Sequence, residues 1–306
     1  MQTKPIDFQP PTAPVATILL PVKSSVFADR ADRFETLAAG HSLADWLNFL
    51  GRLTRAQHLA LQALSPIPLP ANLLEQARSH QMPPLNVTAL ARPTVWHDVL
   101  RGLAATLAPE APAPTRSALA ALMTAPVTRL DALADALLTG EPAPRDAGEL
   151  PLVAAALQVV WTAMAGQLDA ANLQPLDTPG VCPCCGSLPV GSIVRMSPTV
   201  NNLRYLHCSL CNTEWNLSRA LCTACGGEKN VAYQEIEGSA GQAAGAVRAE
   251  TCDDCKSYLK IFYQEKDARV DPVADDLATL ALDMLVDEAG YGRSGPNLLL
   301  IAGAGN

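Results

Sequence analysis

Eight of the chain's nine cysteines stand in four pairs of one spacing, Cys182/Cys185, Cys208/Cys211, Cys222/Cys225 and Cys252/Cys255, each C-x2-C. Two residues between cysteines allow a tight turn that points both sulfurs at one ion, at about 2.3 Å. Four such knuckles supply the thiolates for two closed tetrahedral four-sulfur sites with none left over. A closed site has no position for a bound water, which argues against hydrolytic metal catalysis. Soft thiolates in that geometry suit zinc, or a single iron able to move one electron. The spacings match neither ferredoxin pattern, so iron–sulfur clusters fit less well. Dithiol–disulfide exchange would need fewer knuckles than four. The ninth cysteine, Cys184, lies inside its own knuckle, where it cannot easily turn toward the same ion, and is assigned to neither site.

The elements that must position these sulfurs are short and repeated. Pro189–Arg195, Leu203–His207, Val231–Ile236, Val247–Thr251 and Tyr258–Tyr263 read as strands, rich in β-branched and aromatic residues. The order knuckle, strand, turn, strand, knuckle occurs twice, with offsets of 40 residues at the first knuckle and 44 at the second. Two tandem β-ribbon modules account for this. Repeat symmetry favours sequential closure, with Cys182, Cys185, Cys208 and Cys211 on one ion and Cys222, Cys225, Cys252 and Cys255 on the other. A cross-brace, joining the first knuckle to the third and the second to the fourth, is the alternative. Gly186 and Gly226 follow the second cysteine of their knuckles, where positive φ lets the turn close. Asn212 and Lys256 occupy the same place in the other two, with Lys256 expected to be the strained one.

Ahead of the ribbons lies a helical body. Residues 1–24, with Pro5, Pro10, Pro11, Pro14 and Pro21, read as an extended arm. From 25 to 64 the apolar residues recur at helical spacing, with Ser42 placed as an N-cap. Further helices are expected at 71–80, 94–107, 115–122, 126–138 and 149–171, each marked off by proline, giving an all-α bundle over 25–175. His41, His58, His80 and His97 show no ligand spacing and read as capping or hydrogen-bonded residues. Trp46, Trp96 and Trp161 read as core. No phosphate loop or nucleophile elbow is present, and with no open metal position beside a base the chain is not expected to be an enzyme.

Beyond the ribbons, a helix is expected after Asp271 as N-cap and Pro272 at N1, ending at Gly290. Leu277, Leu280, Ala281, Met284 and Leu285 form its apolar stripe. Asp275, Asp276 and Asp283 read as a solvated face near the helix start rather than as a hard-metal site. Arg293–Asn297 reads as a polar surface turn, or as a loop that meets a partner. The domains are therefore 1–24, 25–175, 176–218, 219–270 and 271–306, and the fold class is α+β.

Composition limits the partners. The 306 residues are 49% hydrophobic and 17% charged, enough for a sizeable core, and the net charge is −8. Residues 180–260 hold seven basic and seven acidic side chains. Phosphate binding needs a basic footprint, so nucleic acid is not an expected partner. The most apolar run, 153–165, is too short to span a bilayer, and no targeting segment is evident, so no membrane insertion is expected. Unpaired thiols in metal-ligand spacing point to the cytoplasm.

Longer runs carry a resemblance. Cys182-Pro-Cys-Cys-Gly-Ser-Leu-Pro, Leu203-Arg-Tyr-Leu-His-Cys-Ser-Leu-Cys-Asn-Thr-Glu-Trp215 and Ala249-Glu-Thr-Cys-Asp-Asp-Cys-Lys-Ser-Tyr-Leu-Lys-Ile261 resemble the FdhE family of formate dehydrogenase accessory proteins. Val273–Leu285 and Gly290–Asn297 fit the same family. The resemblance implies a cytoplasmic helper acting on the catalytic subunit of formate dehydrogenase before its export by the twin-arginine route. It also implies a helical domain followed by two rubredoxin-like modules, with iron on the C-x2-C motifs. Zinc is the alternative metal, and a zinc-ribbon adaptor for protein or nucleic acid the alternative function.

Overall fold

Proline divides the N-terminal half into short helices, and their apolar stripes decide how they stack. The computed structural model describes residues 15–196, 203–236 and 245–300. Residues 1–14 of the arm expected over 1–24 lie outside these, as do 197–202, 237–244 and 301–306; the rest of the arm contributes a short strand, Ile18–Leu19. Among the described residues α1 (Val26–Ala38) and α2 (Ala44–Ala63) form an antiparallel pair. They are followed by α3 (Leu73–Ser79), α4 (Val95–Leu107), α5 (Ala113–Thr124), α6 (Val127–Thr139) and α7 (Leu150–Ala165). In α7 every residue except Pro151 and Ala163 is buried, so the most apolar run of the chain is the axis of the bundle. Trp96 and Trp161 are fully buried, while Trp46 is half-buried.

Two helix boundaries differ from expectation. Ser42 does not cap α2; the ring Nδ1 of His41 accepts the Leu43 N–H instead, at 3.0 Å. Helix α7 stops at Ala165 rather than 171: the Gln167 and Leu168 N–H groups turn to the carbonyls of Met164 and Ala165, three residues back, and Asp169 then accepts the Ala171 N–H to start a separate 3-10 turn over Ala170–Asn172.

The cysteine half forms one sheet. Its strands are β1 (Ile18–Leu19), β2 (Pro189–Arg195), β3 (Leu203–Cys208), β4 (Glu214–Asn216), β5 (Val231–Gln234), β6 (Val247–Cys252), β7 (Ser257–Tyr263) and β8 (Gly292–Arg293). Their order is β1-β4-β3-β2-β7-β6-β5, with β8 on β7. Each ribbon supplies three antiparallel strands, β4-β3-β2 and β7-β6-β5, and the two meet along the parallel pair β2/β7. Strands β1, β4 and β8 were not expected from the sequence. They are two or three residues long, below the length at which alternation can be read.

The C-terminal segment differs most. Asp271 does cap, its Oδ1 accepting the Val273 and Ala274 N–H groups at 2.9 and 2.8 Å. The helix then breaks into α8 (Ala274–Leu277) and α9 (Leu280–Glu288). Lys260 causes the break: its buried ammonium donates to the carbonyls of Asp276 and Thr279, at 2.9 and 3.0 Å, which a continuous helix would use itself. The break rotates the second half, so Leu282 and Val286 face inward while Met284 and Leu285 are 65% and 51% exposed. The stripe expected from the sequence is thus wrong beyond Leu277. Gly290, at φ 88°, ends α9 in the left-handed conformation, with the Tyr291 N–H returning to the Val286 carbonyl.

Asp275 and Asp276 are not a solvated face; both are fully buried. Asp275 pairs with Arg33 of α1 at 2.5 Å, and Asp276 with Lys260 and Arg293 at 3.2 and 2.8 Å. Burial pushes Asp275 up to about 6 against the pull of Arg33. At Asp276 the same burial is outweighed by Lys260 and Arg293, which hold it below the usual range. Nor is Arg293–Asn297 a surface turn. Asn297 is buried and donates to Asp276, and a Cβ on Gly295 would sit 1.8 Å from the Pro189 carbonyl oxygen.

Candidate metal centres

The knuckles close as local backbone chemistry requires. Gly186 and Gly226 have φ of 83° and 73°, and Asn212 and Lys256 have 58° and 52° at the equivalent corners. At the first knuckle Gly186 N–H returns to the Cys182 carbonyl, and at the third Gly226 N–H returns to Cys222, at 2.8 and 3.0 Å. The ribbons then bring knuckles together in sequential pairs. The sulfurs of Cys182, Cys185, Cys208 and Cys211 lie within 4.8 Å of one another, as do those of Cys222, Cys225, Cys252 and Cys255. The cross-braced arrangement is not formed.

Four sulfurs at about 2.3 Å around one ion stand about 3.8 Å apart in a regular tetrahedron. The close pairs are Cys182/Cys211 at 3.6 Å, Cys185/Cys208 at 3.4 Å, and Cys222/Cys255 and Cys225/Cys252 each at 3.8 Å. The donor sets therefore fit a tetrahedral thiolate-bound ion. All nine cysteines are free thiols, and Cys184 lies in the apolar core, outside both sets.

Electrostatics supports the same fit. Burial pushes the Cys182 and Cys208 thiols well up, whereas at Cys211 contacts from the neighbouring thiols outweigh burial and hold it well below the usual range. At Cys255 burial is likewise outweighed, by the Ser257 hydroxyl and the neighbouring sulfurs, bringing it down to about 7. At Cys225 the Gly227 N–H is outweighed by the adjacent sulfurs, and the thiol is pushed up to about 12. Cys211 and Cys255 are thus the readily ionised thiols, one in each set, while Cys182, Cys208, Cys225 and Cys252 resist further negative charge. A cation at the centre would remove that resistance.

The two sets sit in different surroundings. Cys182, Cys185, Cys208 and Cys211 are fully buried and belong to the same apolar core as α2, α4 and α7. The chain between α3 and α4 lies against the first knuckle, where Leu85 and Val87 N–H donate to the Cys184 and Cys185 carbonyls at 2.8 and 3.2 Å. Gln158 of α7 donates to the Ser209 carbonyl, and Asn212 to the Thr162 hydroxyl, each at 2.8 Å. In the second set Cys225 and Cys255 are exposed.

Sequence reasoning missed a polar chain beside the first set. Arg30 of α1 donates to Asp271 at 3.0 Å and to Asn212 Oδ1 at 2.8 Å, and its Nη2 lies 3.3 Å from His207 Nε2. His207 Nδ1 contacts Glu214 at 2.9 Å, and Glu214 also binds Arg195. Burial would raise Glu214, but His207 and Arg195 hold it at about 2. The only sequence signal was the cluster of polar residues around the second knuckle. Of the histidines expected to be hydrogen-bonded, His97 contacts Asp131 and His41 the Ala278 carbonyl, both away from the cysteines, whereas the buried Nδ1 of His58 has no partner among the described residues.

Comparison with known proteins places this architecture. Three family models match consecutive parts of the chain: "FdhE, N-terminal" over residues 15–178, "FdhE, central domain" over 181–219 and "FdhE, C-terminal domain" over 221–300. The chain belongs to the FdhE family. An FdhE homologue of Edwardsiella ictaluri is 41% identical over 95% of this chain and 93% of its own length. One from Serratia proteamaculans is 39% identical over 92% and 89%. The crystal structure of the FdhE protein from Pseudomonas aeruginosa superposes with a TM-score of 0.85, at 37% identity, covering 94% of this chain and all of that one. Likeness to FdhE proteins thus extends over the helical part and over both parts of the chain that carry the cysteines.

Proposed function

We propose that this protein is an accessory factor for formate dehydrogenase, that it binds the catalytic subunit of that enzyme, and that its eight paired cysteines hold two metal ions. Membership of the FdhE family across nearly the whole chain, with both four-sulfur sets intact, carries the reading. In this reading Cys182, Cys185, Cys208 and Cys211 hold one ion, and Cys222, Cys225, Cys252 and Cys255 the other. Iron is the proposed metal, with zinc compatible with the same donors. Bound iron would supply one-electron chemistry, and either metal would fix the knuckles. The chain's residues do the rest: thiolates satisfy the charge, the Leu210 and Cys211 N–H groups approach Cys208 Sγ at 3.4 Å, and the polar chain from Arg195 to Arg30 braces the second knuckle.

No catalytic role is proposed, since closed coordination leaves nowhere for a substrate to bind the metal. Among the described residues no helix is long and apolar enough to cross a membrane. The proposed place of action is the cytoplasm, where thiols remain reduced. The test is co-purification of tagged protein with the formate dehydrogenase catalytic subunit, with elemental analysis of anaerobically purified protein. Capture of the subunit and two equivalents of iron are the expected results. Failure to retain the subunit sinks the partner assignment, and two zinc ions on a colourless protein remove the redox role.

A further inference from the structure

We propose, resting on the metal-holding reading above, that the two centres divide the work. The first is a permanent joint of the fold. The second is the exchange centre, where an ion enters and leaves, and where thiol reagents react, while the protein stays folded.

Access decides between the centres. An incoming donor must reach the ion before a thiolate leaves, because four-coordinate thiolate sites exchange most easily through a fifth, transient ligand. At the first set no sulfur offers that approach, since all four cysteines are fully buried within the bundle's core. Reaching them means parting Leu85 and Val87 from the Cys184 and Cys185 carbonyls, and Gln158 from the Ser209 carbonyl. Those bonds join the helices to the sheet, so exposing the first centre requires the two to separate. Its exchange is therefore tied to a large-scale opening.

The second set is built the other way. Cys222 and Cys252 are 5% and 2% exposed, but Cys225 and Cys255 are open to solvent, one from each knuckle. One edge of the sulfur tetrahedron thus faces outward. The flanking Ala224, Gly226, Asp253, Asp254 and Lys256 are all exposed, and none of the four cysteines belongs to either apolar core cluster. A chelator or another protein's thiolate can approach that edge without disturbing the sheet. Each departing thiolate then takes a proton from solvent, and the incoming ligands keep the ion.

The test uses the full chain loaded with two equivalents of zinc. Excess 4-(2-pyridylazo)resorcinol reports release, iodoacetamide with mass spectrometry reports which sulfurs are freed, and far-ultraviolet circular dichroism reports the fold. One ion should leave at least about tenfold faster than the other, with the helical signal unchanged during that phase. Alkylation in the fast phase should fall on Cys222, Cys225, Cys252 and Cys255, and on the other four only in the slow phase. Gln158→Ala, which removes the bond to the Ser209 carbonyl, should accelerate the slow phase alone. Release in a single phase, or early alkylation of Cys182, Cys185, Cys208 or Cys211, overturns the division of work and leaves metal binding standing. Failure to take up either zinc or ferrous ion defeats the metal reading itself, and this proposal with it.

Discussion

Lys256 turns its knuckle at φ 52°, a conformation that costs a side chain with a Cβ about 1–2 kcal/mol. Its ammonium pairs with exposed Asp253 and stands 5.2 Å from the centre of the Tyr291 ring, both surface contacts that solvent weakens. Lys256→Gly should therefore raise the stability of the metal-loaded protein by about 1 kcal/mol, seen as a higher urea midpoint. Asn212 occupies the equivalent corner at φ 58°, but its side chain binds Arg30 and Thr162 in the buried interface. Asn212→Gly should lower stability despite the easier backbone. A matching gain from both substitutions would mean that the interface bonds contribute nothing. The sulfurs are equally specific: Cys182→Ser should lose one ion and Cys252→Ser the other, counted by elemental analysis. Loss of both ions from either single variant would be incompatible with independent sites.

At the scale of elements, α8 and α9 show where the sequence could and could not be read. The start and stop were legible, since Asp271, Pro272 and Gly290 act through local backbone rules. The break between them was not, because Lys260 lies in a distant strand and takes carbonyls that local pattern assigns to the helix. For the same reason three acids near a helix start looked solvated, although each meets a cation brought by the tertiary fold. The knuckles, the longer strands and the sequential cysteine sets were legible because the repeat encodes them locally. The joining of the ribbons through β2/β7 was not, as that pair spans about 70 residues of chain. Asp275 gives this a measurable form. Its carboxyl is raised to about 6, so the folded state holds a proton that the unfolded chain has released between about pH 4 and 6. Rising pH through that window removes stability, by about 3 kcal/mol at completion for a shift of this size. Asp275→Asn has no such proton, so its stability relative to wild type should improve steadily from pH 4 to 6.5. A pH-independent difference in chemical denaturation would show that Arg33 already offsets the burial.

The whole molecule is held together where the helical bundle meets the first ribbon, and Arg30 is central to that contact. Its guanidinium is fully buried and ties α1 to Asp271 at the head of α8 and to Asn212 in the second knuckle. Removing one partner from a buried pair typically costs about 3–5 kcal/mol, because the other charge stays buried. Arg30→Met should cost that much, and Arg30→Lys should recover only part of it, since an ammonium cannot span both acceptors as the planar fork does. The first centre belongs to the same contact, with its cysteines inside the bundle's core. The helices should therefore depend on it even though no helix supplies a ligand. Thermal unfolding followed at 222 nm reads helix almost alone, because α1 to α7 hold most of the helical residues. Cys182→Ser should lower that midpoint strongly, whereas Cys252→Ser, at the solvent-facing centre, should leave it close to wild type. Equal shifts from the two variants would mean that the sheet transmits metal loss from one end to the other, and that both centres support one cooperative fold.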